Sequence, residues 1–317
     1  MPRQRNPFLM WMVGAASIGF GELTARLPLP VARGLGRGLA RLAYYLIPRL
    51  RKVGLANLDL AYGNTLSRPE KTRILKDAVK NVGIVAAEFT RIPILAGSDI
   101  ARLVQFDGLE HLDRSEGSLM VGAHLGNWEW MAPALASQGF LVAGVVRPLD
   151  HPALNAFVDR LRRSGHVATV PKTNAVAEVV QLLRKGYVVG LLVDQSPREN
   201  AAPVRFFGRE TWGTVGAALA SARTRLPVHV IAMLRQPNGS YLLRVSPEIP
   251  MARSGDLRAD LVQNAQRCQD AVEALVRACP GQWLWFHRRW KARPRLQQEW
   301  RVRQMEDASR TSEQRSD

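Results

Sequence analysis

From residue 104 onward the sequence alternates short apolar runs with amphipathic stretches, and this alternation limits the possible folds more than any other feature. The runs are "SLMVGA", "FLVAGVV", "HVATV", "YVVGLLV", "PVHVIAML" and "YLLRVSP". Helical periodicity near 127–138, 152–164, 174–185, 213–225 and 256–278 separates most of them. Strand and helix in alternation predict an α/β fold with a mostly parallel central sheet flanked by helices. With 317 residues, 46% of them hydrophobic, the chain can bury a sizeable core and is not globally disordered.

The first 50 residues read differently. Arg3 and Arg5 precede an apolar run from Phe8 to Phe20, which Glu22 closes. The run is shorter than the roughly 20 residues a spanning helix needs, and no cleavage site follows it. It reads as an anchor that lies in the membrane or barely spans it. In "PVARGLGRGLARLAYYLIPRLRK", Leu35, Leu39, Leu42 and Leu46 share one helical face, while Arg33, Arg37 and Arg41 form a separate one. A helix lying on an anionic bilayer has this pattern. So does an amphipathic helix packed on its own domain, and this segment alone leaves both open. The glycines at 34, 36 and 38 do not have dinucleotide-loop spacing. Ser67 and Glu70 then form a capping box, opening a helix with Leu75, Val79, Val82, Ala86 and Phe89 on one face. The expected organisation is membrane-associating helices over 1–50, an α/β domain over 51–303 and an unstructured polar tail over 304–317.

Lys and Arg outnumber Asp and Glu by 44 to 27, a formal net charge of +17. Such a balance suits a polyanionic partner: nucleic acid, an anionic membrane, or an acidic protein or phosphorylated substrate. Cys268 and Cys279 are the two cysteines. On one helix they would lie about 16 Å apart, too far for a disulfide, and no Cys-x-x-Cys pair suggests zinc. They read as structural thiols in a reducing compartment.

In an open α/β sheet, function gathers where the C-terminal ends of strands meet loops. Three apolar runs end in polar residues: "VGA" in His124, "GVV" in Arg147 and "LLV" in Asp194-Gln195. Within "HLGNWE", Glu129 follows His124 by five residues. It is expected in the first turn of the next helix, reaching back to the imidazole, with Asn127 as cap of that helix. A histidine is the side chain whose ordinary pKa suits a general base near neutrality. A carboxylate accepting from one ring nitrogen fixes the tautomer and stabilises the imidazolium formed on proton transfer.

"HLGNWE" also resembles the His-x4-Asp/Glu signature of the glycerolipid acyltransferase superfamily, and more closely that of the bacterial lipid A biosynthesis acyltransferases. The likeness runs on through "RKVGLANLDLAYG", "VVRPLDHPALNAFV", "LLRKGYVVGLLVDQSP", "VRFFGRETWGTVGAALA" and "WLWFHRRWK". It implies transfer of a fatty acyl chain from an acyl carrier protein thioester to a glycolipid hydroxyl, on the cytoplasmic face of a bacterial inner membrane. The catalytic pair would be His124 and Glu129, with no metal and no cofactor. Arg147, matched onto the family's "RP", becomes a candidate for gripping a phosphate or the acceptor. Asp194 is expected to orient Arg147, to position the acceptor or to cap a loop, and Asn127 completes the candidate set around the substrate. His287, Arg288 and Arg289 read equally as a head-group clamp or as packed structure. The "EGTR"-type phosphate motif of the glycerol phosphate branch is absent.

Two rival readings remain. The same chemistry serves other acceptors, such as a mannosylated phosphoinositide or an ornithine or aryl-polyene lipid. A basic, non-enzymatic membrane or nucleic-acid binder explains the charge but not the ordered motifs, and no nucleic-acid recognition signature is present. A serine hydrolase lacks its Gly-x-Ser-x-Gly elbow.

Overall fold

The computed structural model describes residues 7–95, 102–172 and 175–313. Four helices come first: α1 (Pro7–Arg26), α2 (Leu29–Leu46), α3 (Pro48–Tyr62) and α4 (Arg68–Phe89), with a short α5 (Ile92–Leu95) after them. The strands are β1 (Val104–Asp107), β2 (Ser118–Gly122), β3 (Val142–Val146), β4 (Val167–Pro171), β5 (Val188–Leu192), β6 (Ala201–Phe206), β7 (Arg209–Thr214), β8 (Val228–Arg235) and β9 (Tyr241–Val245). Between and after them lie α6 (Met131–Ser137), α7 (Pro152–Ser164), α8 (Ala175–Arg184), α9 (Gly216–Thr224), α10 (Leu257–Ala278) and α11 (Pro294–Glu313).

Seven strands form one sheet in the order β1-β9-β8-β2-β5-β3-β4. Every pairing is parallel except β8 with β9. The expected mostly parallel sheet flanked by helices is therefore what forms, and its six apolar runs are six of its seven strands. Helices cover both faces, so central β2 is buried at every position, as a doubly covered parallel strand must be.

Sequence reading missed the separate hairpin of β6 and β7. Its turn is Phe207-Gly208, both at positive φ (53° and 69°), the two-residue connection that matches strand twist. The helix expected over 213–225 accordingly begins only at Gly216. The tail also differs from expectation, since α11 runs on to Glu313 and makes most of 304–317 helical. Its first turns are seated by buried Leu296 and by Trp300 against Trp212, and the helix formers Gln, Glu and Arg favour its continuation.

Residues 7–50 do not form a unit apart. α2 buries Ala32, Gly36, Ala40 and Tyr44, and the last two join the main core. A Cβ at Gly36 would strike the carbonyl oxygen of Gly83 on α4, so the two helix backbones touch. The leucine face points the other way. Leu39, Leu42 and Leu46 are 46%, 53% and 68% exposed. Among the described residues no helix is long and apolar enough to cross a membrane.

Candidate active site

The sheet register brings the site together. Gly122 of β2 pairs with Leu192 of β5, so His124 and Asp194, each two residues further on, leave the sheet side by side. β5 also pairs with β3, which ends one residue before Arg147. The three polar strand ends picked out in the sequence thus sit on three adjacent strands.

His124 donates from Nδ1 to Asp194 Oδ1 at 2.9 Å, and its backbone amide donates to Asp194 Oδ2 at 3.0 Å. The indole of Trp283 gives the same Oδ2 a further hydrogen bond at 2.8 Å. Burial alone would raise the Asp194 pKa. The adjacent imidazole and these three hydrogen bonds overcome it and hold the carboxyl below its ordinary range. Burial alone would likewise depress His124. The charge and hydrogen bond of Asp194, with a smaller contribution from the charge of Glu129, raise its pKa above the usual value instead. Nδ1 is therefore the protonated nitrogen, and Nε2 is left as the basic one. The amide nitrogen of Gln195 lies 3.4 Å from each ring nitrogen, and Trp128 meets the ring edge-on at 5.4 Å.

The expected partner of His124 is elsewhere. Glu129 receives a two-pronged guanidinium from Arg162 of α7, with contacts of 3.0 and 3.3 Å. The reason is local. Residues 127–130 form a turn and α6 begins only at Met131, so Glu129 lies before the helix rather than in its first turn. Glu129 acts on the imidazole through its field while Asp194 holds it.

Asn127 also departs from expectation. It is fully buried, accepts from the Trp130 amide at 3.3 Å, and donates to Glu88 Oε2 at 2.9 Å. It braces the turn and meets no substrate space. Gly126, at φ +61°, makes this turn possible, because a Cβ there would collide with the Met233 carbonyl oxygen. Asn81 of α4 donates to the Gly126 carbonyl at 2.8 Å, and the Leu284 amide donates to the His124 carbonyl at 3.2 Å. The imidazole thus rides on a backbone fixed from three sides.

Beside the pair opens a cavity of about 990 Å³ between the sheet and helices α4, α6 and α7. His124, Glu129, Arg147, Arg162 and Gln195 all line it. Down the sheet away from the pair its lining is apolar, with Met120, Val142 and Val188. Its mouth is cationic: Arg147, Lys172, Arg198, Arg288, Lys291 and Arg293 stand around it. Arg147 is exposed and pairs with Asp150 at 3.2 Å, not with Asp194. Burial and the neighbouring arginines, opposed by Glu199, lower the pKa of Lys172.

In the terminal "HRRW" segment, packing accounts for Arg289, while His287 and Arg288 line the cavity. Arg289 is fully buried and bound to Thr211, Trp212 and Gln269, which makes it structural. His287 lines the cavity. Burial, with help from His124, Arg289 and Arg293 and opposed by Asp194, pushes its pKa down to about 4, so it is neutral near pH 7.

Sequence reasoning missed Arg162, Trp283 and Glu88. Arg162 falls in the helix "PALNAFVDRLRRS", whose basic residues look alike in sequence, and only the packing of α7 selects one of them. Among the described residues no cluster of His, Cys, Asp and Glu has metal-site geometry.

Residues 4–292 match the family described as bacterial lipid A biosynthesis acyltransferase. The lipid A biosynthesis lauroyltransferase of Escherichia coli K12 is 26% identical, over 90% of this chain and 92% of its own length. The palmitoleoyltransferase of the same organism is 24% identical over 87% and 90%. A lipid A biosynthesis acyltransferase from Haemophilus influenzae is 26% identical over 84% and 86%. Among solved structures, the 1-acyl-sn-glycerophosphate acyltransferase PlsC of Thermotoga maritima aligns with a TM-score of 0.34 at 15% identity, over 77% of this chain and 97% of that one.

Proposed function

The chain belongs to the bacterial lipid A biosynthesis acyltransferase family, and on that premise we propose that it moves a fatty acyl group from an acyl carrier protein thioester to a hydroxyl of a lipid A precursor. That it is an acyltransferase of lipid A biosynthesis follows from the family. Donor, residue roles and location are the proposal.

One observation carries the proposal: a carboxylate-held imidazole stands where a long apolar cavity meets a cationic rim. The cavity suits a fatty chain, and the rim suits a phosphorylated glycolipid and an acidic carrier. His124 Nε2 takes the proton of the acceptor hydroxyl as its oxygen attacks the thioester carbonyl. Asp194 stabilises the resulting imidazolium, while Glu129 adds its field and orients Arg162 in the cavity. Collapse of the tetrahedral intermediate breaks the carbon–sulfur bond. The departing thiolate then recovers the proton from His124, and the base is ready again.

The exposed Leu39, Leu42 and Leu46, together with Trp11, Met12 and Val13, supply an apolar surface beside basic residues. That combination supports binding flat on an anionic bilayer, on the cytoplasmic face of the inner membrane where the carrier is found. The deciding experiment incubates the full chain with anionic vesicles, a tetra-acylated lipid A precursor and a panel of acyl carrier protein thioesters. The acceptor should gain one acyl mass, at a rate that falls as salt shortens the Debye length below about 10 Å. No transfer from any carrier thioester, or equal use of acyl-coenzyme A at every salt concentration, would overturn the donor reading.

A further inference from the structure

Part of the sheet wall of the cavity carries no side chains. In β5, Val188, Gly190 and Leu192 share the face turned to the cavity, and all three line it. Gly190 pairs with Gly144 of β3 on one side and with Met120 of β2 on the other. Two glycines therefore meet side by side in the middle of a central parallel sheet, where each weakens its strand and gives neighbours nothing to pack on. A Cβ built at Gly144 has nothing within 4 Å, and one at Gly190 meets only the Ala143 carbonyl oxygen at 3.8 Å. Neither glycine is needed for close backbone packing, and neither has positive φ. Both positions admit a side chain, and the volume such a side chain would fill belongs to the cavity.

Distance along the strand says which part of the cavity. Asp194 marks the level of the reacting atoms. Gly190 lies four residues back, about 13 Å down the sheet, and Val188 lies about 20 Å down. Two residues below the glycine pair, Val142 and Val188 pair on neighbouring strands and line the cavity, with Val167 beside Val142. Beyond about 13 Å, the space holding the far end of a bound chain exists only because positions 144 and 190 are bare.

Resting on the acyl-transfer reading above, we propose that Gly190, with Gly144 beside it, determines the length of the acyl chain accepted, by keeping open the distal end of the cavity. The chemical class selected is an aliphatic acyl chain long enough to pass the glycine pair. Shorter chains stop above it and forgo the contacts of those valines. In an apolar pocket a single methylene is worth roughly 10-fold or more in discrimination.

The test measures kcat/KM of the full chain for decanoyl, lauroyl, myristoyl and palmitoyl carrier protein thioesters in competition, reading product masses. The Gly190→Leu protein should move the preference to a shorter chain, changing the short-to-long ratio by at least ~10-fold. Its rate with the newly preferred donor should stay near that of the parent. Gly144→Val should move the preference the same way, and the milder Gly190→Ala gives a smaller shift should the leucine variant fold poorly. Variants that melt like the parent yet keep its donor ratio would overturn the inference. So would a parallel loss with every chain length, which signals general damage. If the parent protein itself transfers no acyl group from any of these donors, the acyl-transfer reading falls, and this inference with it.

Discussion

Two of the buried carboxylates, Glu88 and Asp194, lie in neighbouring regions and have opposite fates. Glu88, on α4, is fully buried and accepts from Arg33, Arg235, Asn127 and Tyr241. Asp194, beyond β5, is 1% exposed and accepts from His124, through ring and amide, and from Trp283. Both are saturated with donors. The difference lies in what the donors can do next. Two guanidiniums keep their protons at any working pH, so the Glu88 cluster is a fixed bolt joining α2, α4, β8 and the turn below His124. An imidazole can give its proton up, so the same saturation around Asp194 makes a device that changes charge. A buried acid alone says little about function, while the acidity of its partners and their access to a cavity say much.

The comparison breaks most sharply at the imidazole. His124→Ala should lower kcat by about 10²–10⁴-fold with little change in KM, because the lost group acts on the proton in flight. Asp194→Asn should approach that loss, up to about 10⁴-fold, through the wrong tautomer and an unsupported imidazolium. The double variant should be little worse than His124→Ala alone. If the two losses multiply in full, the pair does not act as a unit. Glu88→Ala should do the reverse. Stranding two buried guanidiniums costs about 3–5 kcal/mol, read as a lower urea midpoint, while the folded fraction keeps its pH profile.

The pH profile sharpens the contrast. A base must be unprotonated, and His124 has a raised pKa, so activity should climb with pH through a value above 6.5. Removing the Asp194 charge leaves only the smaller field of Glu129 against burial and should carry that limb to lower pH even as the maximum rate falls. Glu129→Gln should carry it the same way by less, since only its field reaches the ring, with an intermediate loss of turnover from the unpaired Arg162. An equal or larger shift for Glu129 than for Asp194 would reverse the two roles. The smallest effect belongs to the surface. Leu42→Ser with Leu46→Ser should leave kcat on a detergent-dispersed acceptor unchanged and weaken sedimentation with anionic vesicles.

These roles were unevenly legible in the sequence. The sheet was readable because six of its strands are continuous apolar runs between helices, the pattern that burial on both faces demands. The strand ends at His124, Arg147 and Asp194 were readable for the same reason. The partner of His124 was not. Glu129 is five residues away and Asp194 seventy, and only the register of β2 against β5 makes the distant one adjacent. The leucines of α2 were read as one face, yet the sequence could not tell which face its neighbours would bury. Gly36 against Gly83 decided it. The hairpin of β6 and β7 escaped because its turn places Phe207, a bulky residue, at positive φ, against ordinary preference.

Trp283 has a consequence for how the molecule comes into being. Synthesis runs from the N-terminus, and early parts of a chain begin to fold before late ones exist. The amphipathic helices emerge first, then β2 with its histidine, then β5 with its aspartate. The indole that completes the donors of Asp194 and the Leu284 amide that fastens the His124 carbonyl arrive only in the last tenth or so of the chain. A chain cut short before residue 283 would keep the His124–Asp194 contact and the Asn81 brace but lack these two hydrogen bonds.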